Sequence, residues 1–358
     1  MKTHVVIVGA GIAGAATAYH LARLGVGPVL LVEKEDAPGQ HATGRNAAIL
    51  REHVGDASLQ PLATRGADAI RGGSCCRFNP TGGILLGHEP ADDAAARFPL
   101  ACGRGRWLPG DGVIDVAGLL ATYLRGQEVM CDTTVRGWAA RSAGGVTVHT
   151  DNGDIEADIL VNAAGPWAGA VGDLPLVARN RHLFVTPPID EVTAAMPYVW
   201  DDAAGLYFRP ESGGLLLCPC DEQDRQPGDY RVNHDVQSKL ATLLSRTQPQ
   251  LADVRIRRVW TGQRTFAPDR RFVIGWDGRQ ADLFHVAGLG GHGITTSYAV
   301  GQLAAEMIAD RHRDAPEALD PRRLVAMPTP TPPTPPQRRP VPTTPPAPPT
   351  STPRSGAA

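Results

Sequence analysis

Glycines at 9, 11 and 14 and an acid at 33 are the residues whose types and spacing most directly imply chemistry. Gly9-Ala-Gly11-Ile-Ala13-Gly14 has the G-x-G-x-x-G spacing, and Val5–Val8 ahead of it is an apolar run suited to a buried parallel strand. In that setting the first glycine permits a tight turn. The second lets the backbone approach a pyrophosphate, and the third lets the following helix pack on the strand. The helix N-terminus then points free N–H groups at phosphates. Glu33 comes nineteen residues after Gly14, at the end of a second apolar run, Val29–Val32, where a carboxylate can hold ribose hydroxyls. Strand, turn, helix, strand and acid in this order predict a dinucleotide site; the plainer alternative is a tight turn with no ligand. The spacing leaves FAD and NAD(P) both open. Glu33 argues against a 2′-phosphate, since two negative charges would meet there.

The elements that position these residues follow along the chain. Lys34–Gly39 is a loop by composition, and Gln40–Ala48 reads as the opening of a helix, with Thr43, Arg45 and Asn46 suited to a pyrophosphate or a flavin edge. A second helix is expected over Asp56–Arg71 and a third over Val116–Gly126, with Asp115 as its N-cap. Asp92–Phe98 reads as a short polar helix, and Val135–Arg141, Val146–Thr150 and Asp154–Ala157 as a meander. Asp158–Trp167 reads as a buried strand ending in small residues and glycine, where a cofactor can approach the backbone. From Leu176 to Gln263 short strands dominate, which predicts an antiparallel-rich second domain with a helix near Val236–Leu244 and a strand over Val254–Thr261. Gly288–Thr296 is a glycine-rich loop leading into a helix over Ser297–Ala309. Beyond Pro328 the chain becomes Pro/Thr repeats. That composition cannot build a core, so 328–358 is expected to be a disordered tail, either a solvated appendage or a handle for a proline-binding partner.

Composition narrows the function. A chain of 358 residues suggests two or three domains, and a formal net charge of −2 argues against nucleic-acid binding driven by bulk charge. The six cysteines form no C-x-x-C pair and meet no histidine at zinc-finger spacing, so reduced thiols and no metal are expected. The first strand starts almost at Met1 and no run of eighteen apolar residues occurs, so the expectation is a cytoplasmic protein without a signal peptide or a spanning helix.

Four stretches together resemble the D-amino-acid oxidase/dehydrogenase superfamily of FAD enzymes over about residues 3–312, and within it bacterial D-arginine and D-amino-acid dehydrogenases. They are Val5–Gly14 with Glu33-Lys34, Pro38–Ala48, Ile159–Trp167, and Trp260–Asp269 followed by Gly288–Thr295. The resemblance implies an α/β fold: a Rossmann-type, glutathione-reductase-like FAD domain (1–72, 112–175 and 264–325) with an inserted antiparallel β-sheet substrate domain (73–111 and 176–263). It also implies non-covalent FAD rather than NAD. Gly9, Gly11, Ala13 and Gly14 would meet the pyrophosphate, and Glu33 and Lys34 the adenosine ribose. Thr43, Gly44, Arg45, Asn46, Ala47 and Ala48 would line pyrophosphate and flavin. Val135 would touch adenine, Ala164 and Gly165 would pack near the cofactor, and Gly290, Gly291, Gly293, Ile294 and Thr295 would touch the flavin ring. A helix starting near Thr295 would also turn its positive end toward that ring, with His292 adding to the effect.

The implied reaction removes a hydride from the carbon bearing an amine, and the imine then hydrolyses to an oxo acid and ammonia. Arginine grips an α-carboxylate best, because its planar fork matches it bidentately. Arg264 matches the family's carboxylate-binding arginine, Arg181 is the candidate second arginine, and Tyr207 matches a pocket tyrosine. The sequence departs from the D-arginine enzymes at Pro80–Leu86, which carries no acid to meet a substrate guanidinium. The reading therefore leans to a small, apolar or N-substituted amino acid. D-amino-acid oxidation leads, and a secondary-amine oxidase acting on N-methyl or cyclic imino acids is the alternative. A flavin monooxygenase or an NAD-dependent dehydrogenase would share only the N-terminal motif. A non-enzymatic partner subunit is the remaining reading. The electron acceptor, oxygen or a quinone-type carrier, is left open.

Overall fold

A computed structural model describes residues 1–73 and 75–324; the expected Pro/Thr tail, 328–358, lies outside the described residues. The chain opens with β1 (Lys2–Val8), α1 (Ile12–Arg23), β2 (Val29–Val32), β3 (Ile49–Leu50), α2 (Gln60–Arg71), β4 (Phe78–Asn79) and β5 (Gly83–Leu86). It continues through β6 (Asp92–Asp93), β7 (Arg104–Leu108), β8 (Gly112–Ile114), α3 (Val116–Leu124), β9 (Glu128–Met130), β10 (Val135–Ala140), β11 (Val146–Thr150), β12 (Gly153–Asn162) and α4 (Ala168–Gly172). The last part holds β13 (Val177–Val185), β14 (Tyr198–Asp201), β15 (Leu206–Glu211), β16 (Gly214–Cys218), β17 (Gln223–Asp224), α5 (Asp235–Thr247), β18 (Arg258–Phe266), β19 (Val273–Trp276), β20 (Leu283–Ala287) and α6 (Gly293–Ala309).

The apolar runs build the first sheet. β9, β2, β1, β12 and β20 lie side by side in parallel. β1 is covered on both faces: Val5 and Ile7 join one core cluster and Val6 and Val8 another. Continuous burial of this kind is what an unbroken valine–isoleucine run encodes. β10 and β11 fold against the early half of β12 as the expected meander, and β19 adds an antiparallel edge to β20.

The second sheet runs β17-β13-β16-β15-β14-β5-β7-β6, with β18 on β13, and is antiparallel except where β14 meets β5. Strand alternation gives it two faces. Phe184, Phe208, Leu215 and Leu217 pack under Val236, Leu240, Leu243 and Leu244 of α5. Leu183, Val185, Tyr207, Leu216 and Cys218 pack instead on Ala47, with Ile49 of β3 beside them. This is the Rossmann-type sheet joined to an antiparallel sheet that the resemblance implied. No helix among the described residues is long and apolar enough to cross a membrane.

Several local expectations are corrected. Residues 40–48 form turns rather than a helix, because tertiary bonds hold them: Thr43 Oγ1 accepts the Ile12 N–H at 3.0 Å, and Asn46 bonds the Thr43 carbonyl. The second helix starts at Gln60, since Asp56 spends its side chain on the Ser58 amide and hydroxyl. Asp92–Phe98 divides into a short strand and a 3₁₀ turn capped by Asp93. Two expected strands fuse into β12, which is half-exposed over its first residues and fully buried from Ile159 to Asn162. The strand expected over Val254–Thr261 is β18, displaced to Arg258–Phe266 by its pairing with β13. Asp115 does cap α3, accepting from the Gly118 N–H at 2.9 Å.

Candidate active site

The turn after β1 is built as the spacing requires. Gly9 sits at φ +102°, and a side chain there would come within 2.6 Å of the Ala163 carbonyl oxygen. Only glycine suits both constraints. A side chain on Gly14 would strike the Gly9 carbonyl, so α1 packs directly onto the turn. Glu33 is buried, with one oxygen accepting the Ala10 N–H at 3.0 Å and the other the Glu35 N–H at 3.1 Å.

One cavity of about 710 Å³ extends from this turn. Its lining includes Gly9, Gly11, Ala13, Glu33, Lys34, Thr43 and Asn46, then Val135, Ala164 and Gly165, and finally Arg264, Gly290, Gly291, Gly293 and Ile294. Sequence regions far apart are thus joined along one continuous space, within the usual size range of a cofactor site. Gly14, Gly44, Arg45, Ala47, Ala48 and Thr295 are not part of the lining. Arg45 turns away, its guanidinium 4.3 Å from the centre of the Tyr230 ring. Ala47 packs on the second sheet, and its carbonyl accepts from Arg209 Nε at 2.6 Å. Ala48 takes a left-handed turn at φ +55°. Thr295 ties α6 to β3 by accepting the Arg51 N–H at 3.3 Å.

The lining also contains residues that local sequence did not single out, among them His41 and Trp167. Lys34 Nζ lies 3.9 Å from the centre of the Trp167 ring and 2.8 Å from Glu35. His41 bridges Glu35 and Tyr230, at 2.7 Å each. Tyr230 comes from segment 221–234, which the second sheet holds from one face. Asn180 donates to the Asp229 carbonyl, Gln263 to the Gln226 carbonyl and Thr261 to the Tyr230 carbonyl, while His182 accepts the Asn233 N–H.

The opposite face of the same strands carries the arginines. β13 and β18 pair Arg179 with Arg264 and Arg181 with Gly262. Gly262 leaves room for its neighbours: a Cβ there would lie 2.9 Å from Arg264 Nη1 and would strike the Arg45 carbonyl. Arg264 is buried and has no carboxylate partner among the described residues; Nη1 donates only to the adjacent Gln263 carbonyl, at 3.3 Å. Burial lowers its pKa, and nearby Arg181 adds to the shift. Arg181 is already engaged, with Nη2 2.8 Å from Glu222. Glu222 also binds Arg179 at 3.0 Å and Arg270 at 2.6 Å.

Tyr207 lies beneath Trp200, ring centroids 4.3 Å apart, and burial raises its phenol well above the ordinary value. His292 precedes α6, and its carbonyl accepts the Thr296 N–H and hydroxyl. Burial, reinforced by Arg51 and Arg181, pushes its imidazole down to about 3. Near neutral pH it therefore offers a hydrogen bond rather than a positive charge. Arg181 and Tyr207 stand beside Arg264 and His292 stands near Arg181, and none of the three lines the cavity itself.

A parallel sheet with this glycine turn and cavity, facing an antiparallel sheet that presents a buried arginine, has the form of a two-sheet dinucleotide-binding protein. The chain belongs to the DAO family, FAD dependent oxidoreductase, which it matches over residues 4–307. It is 23% identical to FAD-dependent oxidoreductase domain-containing protein 1 of Bos taurus, across 87% of this chain and 82% of that protein. It is 26% identical to mitochondrial dimethylglycine dehydrogenase of Homo sapiens across 90% of this chain, and the match spans 44% of that protein's length. The structure is similar to L-proline dehydrogenase from P. horikoshii, with TM-score 0.80, 22% identity, and coverage of 90% and 97% of the two chains. Iminodiacetate oxidase from Chelativorans sp. BNC1 is similar at TM-score 0.73 and 23% identity, covering 89% and 99%.

FAD is the family's cofactor, and the cavity fits it. Its length runs from Glu33 and Val135 to the glycine loop before α6. The Gly9 turn admits close approach, and no acidic side chain besides Glu33 lines the space to repel a pyrophosphate.

Proposed function

We propose that this chain oxidises the C–N bond of an N-substituted amino acid, such as an N-methyl or cyclic imino acid. The observation that carries the reading is Arg264: a buried guanidinium at one end of the cavity with no carboxylate among the described residues to pair with. A buried cation without a counter-ion costs several kcal/mol, and a substrate carboxylate would remove that cost. Dimethylglycine dehydrogenase and L-proline dehydrogenase among the similar proteins favour a secondary or tertiary amine over the D-amino acid first expected.

Bound FAD would supply the two-electron acceptor. Gly9, Gly11, Ala13, Glu33, Lys34 and Thr43 would hold its nucleotide half, and Gly290, Gly291, Gly293 and Ile294 its ring. Arg264 would fix the substrate carboxylate bidentately and so orient the carbon that loses hydride. Arg181, saturated on one edge by Glu222, would contribute field rather than a direct grip. Tyr207 stays protonated and can donate its O–H. His292 stays neutral and cannot repel a cationic amine. The imine product then hydrolyses in water.

The test is an anaerobic titration of the yellow protein with sarcosine, N,N-dimethylglycine, both prolines, iminodiacetate, glycine and D-amino acids. Bleaching of the flavin band near ~450 nm by the N-substituted acids is the expected result. Bleaching by primary D-amino acids alone would restore the other substrate class, and an unreduced flavin with every donor would overturn both.

A further inference from the structure

Residues 36–46 carry neither helix nor strand, and they stand between the cofactor cavity and solvent. Gly39, Gln40, His41, Ala42, Thr43 and Asn46 line the cavity, while Asp36, Ala37, Gln40 and Gly44 are exposed. The wall is therefore one chain thick. Only Gly39 and Thr43 of these eleven residues are buried. A segment with so little buried apolar surface belongs to the low-stability end of a fold, where local opening occurs.

Two side chains of this wall close on a single residue from outside it, Tyr230. His41 lies 2.7 Å from Glu35 through Nε2 and 2.7 Å from the Tyr230 hydroxyl through Nδ1. A carboxylate can only accept, so Nε2 carries the proton and Nδ1 accepts the Tyr230 O–H. Burial favours both neutral forms: it lowers the His41 imidazole and raises the Tyr230 phenol to about 12. The two rings also lie nearly parallel, 5.6 Å between centroids. Arg45 completes the grip, with its guanidinium 4.3 Å from the centre of the Tyr230 ring and Nη1 3.5 Å from the Thr261 carbonyl.

Tyr230 itself is held on the second sheet. Thr261 donates to its carbonyl at 2.6 Å, Asn180 donates to the Asp229 carbonyl at 2.8 Å, and the Gly228 N–H donates to Gln263 at 2.8 Å. Gly228 also backs Trp167, another lining residue: at φ +84° its backbone sits where a Cβ would lie 3.1 Å from that ring. Tyr230 is thus a fixed post, and the loop is the part free to swing.

We propose that residues 36–46 form the door through which FAD enters and leaves, latched shut by the grip of His41 and Arg45 on Tyr230. Tyr230 does not line the cavity; it is a positioning residue that acts through His41. Entry and exit pass the same barrier, so the latch governs the rate of exchange in both directions and not the affinity.

The holoenzyme is incubated with excess isotope-labelled FAD, and entry of label into the protein is followed with time. Kd is measured on the same samples by equilibrium dialysis. Tyr230→Phe keeps the ring but removes the hydrogen bond, so exchange should quicken about tenfold while Kd moves by less than about twofold. Arg45→Met removes the other arm and should act in the same direction, and the double variant should exceed either alone. Amide hydrogen exchange should rise within residues 36–46 and stay unchanged in β1. A Kd that weakens as much as exchange quickens would make Tyr230 a support for bound FAD and overturn the latch. So would unchanged exchange in both variants, or no exchange in any sample. None of these readouts needs turnover, so the outcome does not depend on which amine the enzyme oxidises.

Discussion

Arg264→Met should separate catalysis from stability, moving them in opposite directions. In the wild type the guanidinium is buried beside Arg181 and, among the described residues, meets only the Gln263 carbonyl. A substrate carboxylate would gain two charge-assisted hydrogen bonds there, each worth about 1.5–3 kcal/mol. Allowing for the water they replace, a loss of about 3 kcal/mol is expected, or roughly 100-fold in kcat/KM. The free protein, however, loses an uncompensated buried charge. Relief of about 1 kcal/mol would raise Tm by roughly 2 °C. Arg264→Lys keeps a point charge without the planar fork and should recover part of the activity. The assay pairs steady-state kinetics on an N-methyl acid and on the matching amine without a carboxylate with thermal melts of the same flavin-loaded samples. The carboxylate-free amine should be indifferent to the substitution. Equal losses on both substrates, or a variant that melts lower than wild type, would refute the carboxylate-seat argument.

Gly262→Ala places a methyl 2.9 Å from Arg264 Nη1 and against the Arg45 carbonyl, so KM should rise about tenfold while flavin content is kept. A change confined to flavin content would mean that Gly262 serves the cofactor instead. Glu33→Gln removes the charge that holds the Ala10 and Glu35 amides and should weaken FAD about tenfold, read by quenching of flavin fluorescence on titration. Burial works against the Glu222 carboxylate, but Arg270, Arg181 and Arg179 hold its pKa down to about 2. A depressed acid stabilises the fold above its unfolded pKa of about 4.3, and that support drains away as pH falls toward 2. Glu222→Gln should therefore cost up to about 3 kcal/mol in urea unfolding at neutral pH, with the difference from wild type shrinking below pH 4. A gap independent of pH would assign the effect to packing.

The nucleotide turn was legible because its determinants are local: a φ of +102° at Gly9 and the Gly14 contact both involve residues within one strand–turn–helix unit. Arg264 was legible through its neighbours in the motif, Gly262 included. Residues 40–48 were misread because their conformation is imposed from outside: by Ile12 on Thr43, by Tyr230 on Arg45 and by Arg209 on Ala47. His41 and Trp167 were missed for the same reason, since the bridge from His41 to Tyr230 spans 189 residues of sequence. β12 was read as two pieces because its polarity pattern changes from alternating to continuous as it passes from the meander into the middle of the sheet. Arg181 was recognised as a charge, but its engagement with Glu222 depends on a loop that closes only in three dimensions.

The paired strands β13 and β18 do two jobs on alternate residues. Asn180, His182, Thr261 and Gln263 hold segment 221–234, and Arg181, Gly262 and Arg264 form the arginine face. A single inserted or deleted residue in either strand would exchange these sets across the sheet. Lineages descending from this chain can therefore revise substrate preference here by replacement alone. Changes of length must go elsewhere, and the connection from residue 186 to 197 between β13 and β14 is open to them.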